Sequence, residues 1–255
     1  MDRRTALLLA VGAAALLSGC GGPAGTARAA PTAASLPPVP AARPGATQIV
    51  NRGEAGSDRR IALTVDDGTA ADVVAGYVDF AQRTGIHLTF SPNGTYHRSW
   101  APHAPVLRPL VAAGQVQIIN HTFSHRDLRK LSDQERRAEL ERNDDWVIST
   151  FGTTTRPYYR PPFGFRSVEV DAIAGELGYT RTVLWNGSFS DSETVTPQFL
   201  MDQARKYLQP GVLNLGHANH PTILGLFDDI AALIRDRQLT PVTLDEMFGT
   251  SRADG

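Results

Sequence analysis

Residues 61–68 read IALTVDDG, and the pattern of this stretch is the strongest indication of the fold class. A short run of apolar and β-branched residues that ends in Asp-Asp-Gly is typical of a buried strand entering a turn. The next residues, 70–84, have the apolar spacing of a helix, and Gly85 follows where a helix commonly stops. A second apolar run over residues 86–90 predicts another strand, so the whole unit favours parallel pairing.

The same alternation of helix and strand continues along the chain. We predict further helices over residues 105–113, 132–151, 167–177, 196–208 and 222–238, and further strands over residues 116–119, 179–185, 212–215 and 241–244. Parallel strands joined by helices connect through right-handed crossovers. We therefore expect an α/β fold, a distorted barrel of about seven parallel strands.

Composition excludes several classes of protein. The 255 residues are 42% hydrophobic and 20% charged, which is enough apolar material for a core and excludes a fully disordered chain. The net charge of −1 provides no positive field for nucleic acid or anionic lipid. The single cysteine, Cys20, cannot form an internal disulfide or a thiolate cage, so any metal must be held by His, Asp or Glu.

The N-terminus has the pattern of an export signal. Two arginines precede an apolar run over residues 6–17, which is too short for a comfortable membrane span and ends in Leu-Ser-Gly-Cys at Cys20. This ending resembles the lipobox of bacterial lipoproteins, in which the chain is cut before the cysteine and the thiol carries lipid. An ordinary secretory signal, or twin-arginine export through Arg3-Arg4, is the alternative.

These features predict three segments. Residues 1–19 would be a lipoprotein signal peptide, and residues 20–57, rich in Ala, Pro and Gly, a disordered tether. Residues 58–250 would form the folded domain. We expect that domain outside the cytoplasm, anchored to the bacterial cell membrane through lipid on Cys20.

Polar residues follow several predicted strands. Asp66 and Asp67 point in different directions at a strand end, so one could bind a metal while the other acts as a base; a simple turn is the alternative. His121 and His125, four apart on a helical turn, would face the same way and share a cation. With one carboxylate they would form a two-His, one-carboxylate site, unless both are merely loop histidines.

Two later segments are ambiguous when taken singly. Residues 160–164 read RPPFG, and their prolines would hold Arg160 and the amide of Phe163 in place, unless Arg160 is a surface residue of a proline-rich loop. Residues 211–217 read GVLNLGH and carry a strand into His217. His220 lies three residues later and competes for any role given to His217.

Together, the stretches TVDDG, HTFSH, RPPFG and GVLNLGH occur in this order and resemble the motif set of the polysaccharide deacetylases, the NodB-homology or carbohydrate esterase family 4 domain. The resemblance covers residues 60–248 and implies a NodB-like barrel. It implies that Asp67, His121 and His125 hold a divalent metal, most often zinc, with cobalt, manganese or nickel as alternatives. Asp66 would then be the general base, and Arg160 would hold its carboxylate in place.

The resemblance also implies which residues would stabilise the oxyanion, protonate the leaving group and bind the acetyl methyl group. The backbone amide of Phe163 would belong to the oxyanion hole, and His217 would be the general acid, oriented by Asp191. Trp185 and Leu215 would shape the pocket for the acetyl methyl group. The fourth family motif is degraded around Asp191, where the usual sugar-facing tryptophan is absent.

These assignments predict a hydrolase that removes N-acetyl groups from glycans such as peptidoglycan or chitin oligosaccharides. Such an enzyme would act as a monomer on a polysaccharide, with membrane contact only through the lipid anchor and without nucleic acid. An esterase that removes O-acetyl groups from xylan or small esters would use the same residues. A non-catalytic glycan-binding lipoprotein is the third alternative.

Overall fold

The computed structural model describes residues 38–53 and 59–249, which all belong to one compact unit. The predicted signal peptide, its lipidation residue Cys20 and residues 20–37 of the predicted tether lie outside the described residues. Within the two described ranges, no helix combines the length and the apolar character that a membrane span requires.

Within residues 38–53 and 59–249, nine strands form the sheets, and all their ladders are parallel. They are β1 (Gln48–Val50), β2 (Arg60–Asp67), β3 (Leu88–Pro92), β4 (Val116–Ile118), β5 (Tyr158–Tyr159), β6 (Arg181–Val183), β7 (Gly187–Ser188), β8 (Leu213–His217) and β9 (Thr240–Pro241). The main sheet has the order β4-β3-β2-β8-β7, with β9 beside the start of β2, and the second sheet has the order β1-β6-β5. A parallel bridge between Asn120 and Tyr159 joins β4 to β5. Strands β2 to β8 thus form a barrel that is distorted and not fully closed, which confirms the predicted fold class.

Eight helices cover the strands in the part of the chain that the structure describes. They are α1 (Ala71–Thr84), α2 (His97–Trp100), α3 (Ala104–Ala112), α4 (Asp133–Phe151), α5 (Val168–Glu176), α6 (Pro197–Tyr207), α7 (Phe227–Asp236) and α8 (Leu244–Phe248). Helix α4 begins with a capping box in which Ser132 and Glu135 each bind the other's backbone N–H, and it ends at Gly152 with φ 76°. Most predicted helices therefore lie within a few residues of their expected ends, because their capping residues are local in sequence.

The structure differs from the sequence expectation at both ends of the domain. Residues 48–50, predicted to belong to a disordered tether, form β1, which pairs in register with β6 and buries Val50. Three strand residues inside an Ala/Pro/Gly-rich stretch are too few to give a periodic signal. The strand predicted over 241–244 stops at Pro241, and Leu244 instead begins α8 behind a capping box at Thr243.

The alternation of side chains along β2 separates the core from the site. Ile61, Leu63 and Val65 belong to the large apolar cluster that also contains the buried face of α1. The intervening side chains of Thr64 and Asp66 are buried as well, 1% and 2% exposed, on the opposite face of the strand. The strand that anchors the core therefore also delivers a carboxylate to the barrel interior.

Candidate active site

The carboxyl ends of the strands converge on a cavity of about 800 Å³. Eight of the residues predicted from sequence line it: Asp66, Asp67, His121, His125, Phe163, Trp185, Leu215 and His217. Arg160 and Asp191 lie buried behind this lining and hold two of its members. The strand-end positions that suggested a site in the sequence are therefore brought together by the fold.

Asp67, His121 and His125 form a compact donor cluster, the only group of three or more such residues near enough to share an ion within the described ranges. Asp67 Oδ1 lies 3.4 Å from His121 Nε2 and 3.5 Å from His125 Nε2, and it is buried without a hydrogen-bond partner. Tetrahedral zinc with ligands at ~2.1 Å would separate them by ~3.4 Å. The spacing and the unpartnered oxygen therefore fit a divalent metal.

Two of the three donors are oriented by neighbours. His121 Nδ1 donates to the carbonyl of Arg160 at 2.8 Å, which leaves Nε2 facing Asp67. Asn219 Nδ2 donates to Asp67 Oδ2 at 2.7 Å, while the Asn219 side-chain oxygen accepts from Thr69. Sequence reasoning missed Asn219, although its position just after the end of β8 could have marked it.

The histidine segment does not form the helical turn that the four-residue spacing suggested. Residues 121–125 are a loop, in which Thr122 has φ 67° and His125 has φ 57°. The histidines converge because two non-glycine residues adopt the left-handed region, and not because of helical periodicity. Their rings lie 5.0 Å apart between centroids.

Asp66 is held by a buried arginine. Arg160 is completely buried, so it is not the surface residue that the proline-rich sequence allowed. Its Nη1 donates to Asp66 Oδ1 at 2.6 Å, and its Nη2 donates to Thr64 Oγ1 at 2.9 Å. The other Asp66 oxygen lies 3.5 Å from His121 Nε2 and faces the donor cluster. One carboxylate oxygen is thus fixed and the other is directed into the site.

His217 forms a pair with Asp191. Its Nδ1 lies 2.9 Å from Asp191 Oδ1, and its backbone N–H donates to Asp191 Oδ2 at 3.2 Å. His220 points elsewhere, with its ring nitrogens 3.1 Å from Thr194 Oγ1 and from the carbonyl of Ser192. The competition between the two histidines is therefore resolved in favour of His217 as the one that lines the cavity.

An aromatic wall borders the donor cluster. The ring of Phe163 makes an edge contact with His125 at 4.6 Å between centroids and is 57% exposed. Its backbone has φ 62°, and within the described residues its N–H donates no hydrogen bond. Trp185 lies beside Gly164, and both Trp185 and Leu215 line the cavity. The free N–H of Phe163 can serve a ligand oxygen.

The surroundings shift the pKa values of Asp67, His125 and His217 in different directions. Burial raises the pKa of Asp67, but His121, His125 and His217 more than offset this and hold it well below its ordinary value. Burial lowers the pKa of His217, yet its hydrogen bond and charge interaction with Asp191 raise it overall. Burial and the charge of His121 lower the pKa of His125. Asp67 is therefore ionised, and His125 favours the neutral form that binds metals.

The arrangement places a group that can accept a proton and a group that can donate one on neighbouring strands. Asp66 on β2 is in register with His217 on β8, and the N–H of Ala218 donates to the carbonyl of Asp66 at 2.9 Å. A carboxylate and an imidazole whose pKa is raised thus border the same donor cluster. Such a pair can remove a proton on one side of a bound group and deliver one on the other.

Comparison with known proteins agrees with this chemistry. A family model described as polysaccharide deacetylase matches residues 53–182, which include the donor cluster, Asp66 and Arg160. The chain is 28% identical over 199 residues to a chitin deacetylase of Arthroderma benhamiae, covering 76% of this chain and 53% of that protein. It is 25% identical over 208 residues to the peptidoglycan-N-acetylglucosamine deacetylase PgdA of Listeria monocytogenes, covering 81% of this chain and 42% of that protein. The chain therefore spans about half or less of the length of these two relatives.

Solved structures share the fold. A peptidoglycan N-acetylglucosamine deacetylase, Bc1960, superposes with a TM-score of 0.70 at 22% identity over 80% of this chain and 94% of its own. BA3943 of Bacillus anthracis, described as a pseudoenzyme of carbohydrate esterase family 4, superposes with a TM-score of 0.68 at 18% identity, covering 78% of this chain and 68% of its own. The same fold thus occurs in active and inactive proteins, so activity must be argued from the side chains.

Proposed function

The chain belongs to the polysaccharide deacetylase family, and from this premise we propose that it is a metal-dependent hydrolase that removes N-acetyl groups from N-acetylglucosamine glycans. One observation carries the proposal. The cluster of Asp67, His121 and His125 lies at the same cavity as the Asp66–Arg160 pair and the His217–Asp191 pair. Metal-assisted hydrolysis of an amide can use all three: a metal to activate water, a base to take its proton and an acid to protonate the leaving nitrogen.

The donor cluster would hold the metal through Asp67 Oδ1 and the Nε2 atoms of His121 and His125. Zinc suits this mixed nitrogen and oxygen set, and cobalt, manganese or nickel are the alternatives. When bound, the metal would polarise the acetyl carbonyl and lower the pKa of water from ~15.7 toward ~7. Asn219 and the carbonyl of Arg160 keep two of the three donors in place for it.

Asp66 is proposed as the general base. Its Oδ1 is engaged by Arg160, so its Oδ2 is the oxygen that can take the proton from the attacking water. The pairing also keeps the carboxylate from swinging into the metal position. Positioned proton transfer of this kind typically contributes ~10²–10⁴ in rate.

His217 is proposed as the general acid. The bond from the acetyl carbon to the sugar nitrogen breaks only if that nitrogen receives a proton, because an amine anion is a poor leaving group. Asp191 keeps the His217 imidazole protonated to higher pH and occupies Nδ1, so Nε2 is the donor. One water is consumed, and acetate and a free amine are released.

The cavity wall would fix the acetyl group. The N–H of Phe163 is available to donate to the oxygen on which negative charge develops, and one such donor is typically worth ~3 kcal/mol. Trp185 and Leu215 offer apolar surface for the acetyl methyl group. The combination accounts for recognition of an acetyl group without any contact that requires a particular polymer.

Two alternatives are less well supported. A non-catalytic glycan-binding protein would be expected to lack at least one of the residues proposed for catalysis. Asp66, Arg160 and His217 are all present and make suitable contacts. An O-acetyl esterase has an easier leaving group and needs its acid less. The close Asp191–His217 pair, present despite the degraded sequence around it, supports the more demanding amide substrate.

The proposal includes the identity of the glycan substrate and the cellular location of the protein. Peptidoglycan would be the nearest N-acetylated glycan for a lipid-anchored domain outside the cytoplasm, and PgdA is a relative named for that substrate. The anchor rests on Cys20 and the residues before it, which lie outside the described residues. Cys20→Ser should move the protein from the membrane fraction to the soluble fraction of expressing bacteria.

Substrate comparison tests the proposed reaction. Acetate release by the metal-loaded protein would be measured on N-acetylglucosamine oligomers, on peptidoglycan and on acetylated xylan. We expect release from the first two at a higher kcat/KM than from xylan. Release from xylan alone would replace the proposal by the esterase, and release from none would favour the non-catalytic glycan-binding protein.

A further inference from the structure

Three buried asparagines surround the loop that carries both histidines of the donor cluster. Asn93, Asn120 and Asn143 are each 0% exposed. Asn93 Nδ2 donates to the carbonyls of His121 and Thr122 at 2.5 and 3.0 Å. Asn120 Oδ1 accepts from the N–H of Thr122 at 2.8 Å. The first half of the loop is thus bound by side-chain amides instead of a regular ladder.

The second half of the loop is bound by helix α4. The carboxylate of Glu139 accepts from the N–H and the hydroxyl of Ser124 at 2.8 and 2.5 Å. The carbonyl of Glu139 accepts from the N–H of Phe123 at 3.0 Å, and the Phe123 carbonyl accepts from the N–H of Thr95 at 2.8 Å. The buried backbone groups of the loop therefore find specific partners outside it.

Asn143, one turn after Glu139 on the same helix, connects the two other asparagines. Its Nδ2 donates to Asn120 Oδ1 and to the carbonyl of Pro92, both at 3.1 Å, and its Oδ1 accepts from the N–H of Gly94 at 2.8 Å. Pro92 and Gly94 flank Asn93 in sequence. A single side chain thus ties the segment that carries Asn93 to Asn120.

The loop needs such support because its conformation is strained. Thr122 is β-branched and has φ 67°, and His125 has φ 57°, so two residues of five lie in the left-handed region. Residues held there without glycine persist only when surrounding contacts fix them. An asparagine inside α4 also weakens the helix relative to leucine, so Asn143 is not explained by helix propensity.

We propose that Asn143, acting with Glu139 from the same face of α4, is a positioning residue that holds His121 and His125 in their strained, converging geometry. This inference rests on the proposed metal site. Neither residue touches the donor atoms, so they act on the metal through the shape of the loop. Helix α4 is then part of the metal-binding apparatus and not only of the core.

The test compares three variants in the full chain after metal removal. Asn143→Leu keeps the approximate size and removes all three hydrogen bonds, and Glu139→Gln keeps the shape but removes one acceptor of Ser124. Val147→Ala is the matched control, because Val147 is fully buried on α4 one turn after Asn143 and belongs to the apolar core. Binding of Co²⁺ is measured by titration, and amide hydrogen exchange of residues 119–126 is measured in the metal-free protein.

We expect Asn143→Leu to weaken Co²⁺ binding by ~10–100-fold, the usual effect of removing a supporting partner, and Glu139→Gln to weaken it less. Exchange of residues 119–126 should rise in both variants without metal, whereas Val147→Ala should leave both readouts unchanged. Should Asn143→Leu fail to fold, Glu139→Gln decides alone. Wild-type affinity and exchange in a folded variant, or equal losses in Val147→Ala, would overturn the inference. An unmodified protein that binds no Co²⁺ would instead overturn the proposed metal site.

Discussion

At the scale of single residues, two adjacent aspartates have different surroundings. Asp66 is tied to a buried arginine through one oxygen, whereas Asp67 has an unpartnered oxygen directed at two imidazoles. The difference arises because Asp67 is the last residue of β2 and has φ 71°, whereas Asp66 does not have a positive φ. The same residue type can therefore serve as a base at one position and a metal ligand at the next.

The first prediction separates these roles with Asp66→Asn. The amide oxygen can still accept from Arg160, so the fold and the bound metal should persist. The amide cannot take a proton, so kcat should fall by ~10²–10⁴. Acetate release and metal content by elemental analysis are measured on the same sample. Turnover near the wild-type value in that variant would contradict the role of Asp66 as base.

The second prediction concerns Asp191 and pH. Asp191 raises the pKa of His217 against the opposing effect of burial, and the proposed acid role requires the protonated form of His217. Asp191→Asn removes that charge, so the pKa of His217 falls and its proton is lost at lower pH. The alkaline limb of the profile of kcat/KM against pH should move to lower pH. Asp228→Asn, at an exposed carboxylate that pairs with Arg83, is the control and should leave the limb in place.

The sequence alone predicted most of the site residues but missed some of the residues that hold them in place. Asp66, Asp67, His121, His125 and His217 stand at strand ends in short motifs, which are local signals. The contact of Arg160 with Asp66 spans 94 positions and was expected only from the family resemblance, whereas the contact of Asn219 with Asp67 spans 152 positions and was missed. No local sequence pattern contains either pair. The conformation of the loop over residues 121–125 was not predicted either, because a β-branched residue such as Thr122 gives no sequence signal of a positive φ.

At the scale of elements, the turn after β2 is the most constrained. Gly68 has φ 113°, and a Cβ there would lie 1.9 Å from Nε1 of Trp100, which donates to the carbonyl of Asp67 at 2.8 Å. Trp100 is fully buried and cannot move aside freely. The glycine is thus required both by backbone conformation and by the close approach of the indole.

The third prediction compares Gly68→Ala with Gly85→Ala. Gly85 ends α1 at φ 70° and has open space around it, so its substitution should cost only ~1 kcal/mol of conformational strain. Gly68→Ala adds the clash with Trp100 and should cost roughly 2–5 kcal/mol. The free energy of unfolding is measured by urea denaturation. Equal costs at the two glycines would contradict the constraint that Trp100 imposes.

The length of an element decided whether the sequence predicted it. Helix α4 was expected over residues 132–151 and is found over Asp133–Phe151, because a capping box and a stop glycine frame it. Strands β5 and β7 have two residues each and were not predicted as separate strands. Such strands exist because neighbouring strands pair with them, and that information lies far away in sequence.

At the scale of the whole molecule, the barrel is what assembles the chemistry. Parallel strands present their carboxyl ends to one side, so residues separated by up to about 150 positions meet at one cavity. The register of β2 with β8 places the proposed base and acid on adjacent strands. The loop after β4 brings the two histidines to the same cavity and is bound from outside by α4.

The proposed function requires that this cavity remove acetyl groups by means of a metal held by Asp67, His121 and His125. The most direct measurement is acetate release from N-acetylglucosamine oligomers by the purified protein, before and after a chelator and after zinc is restored. We expect release that the chelator abolishes and that added zinc restores. Release that persists in protein shown to be metal-free, or none from protein shown to hold one metal per chain, would contradict it.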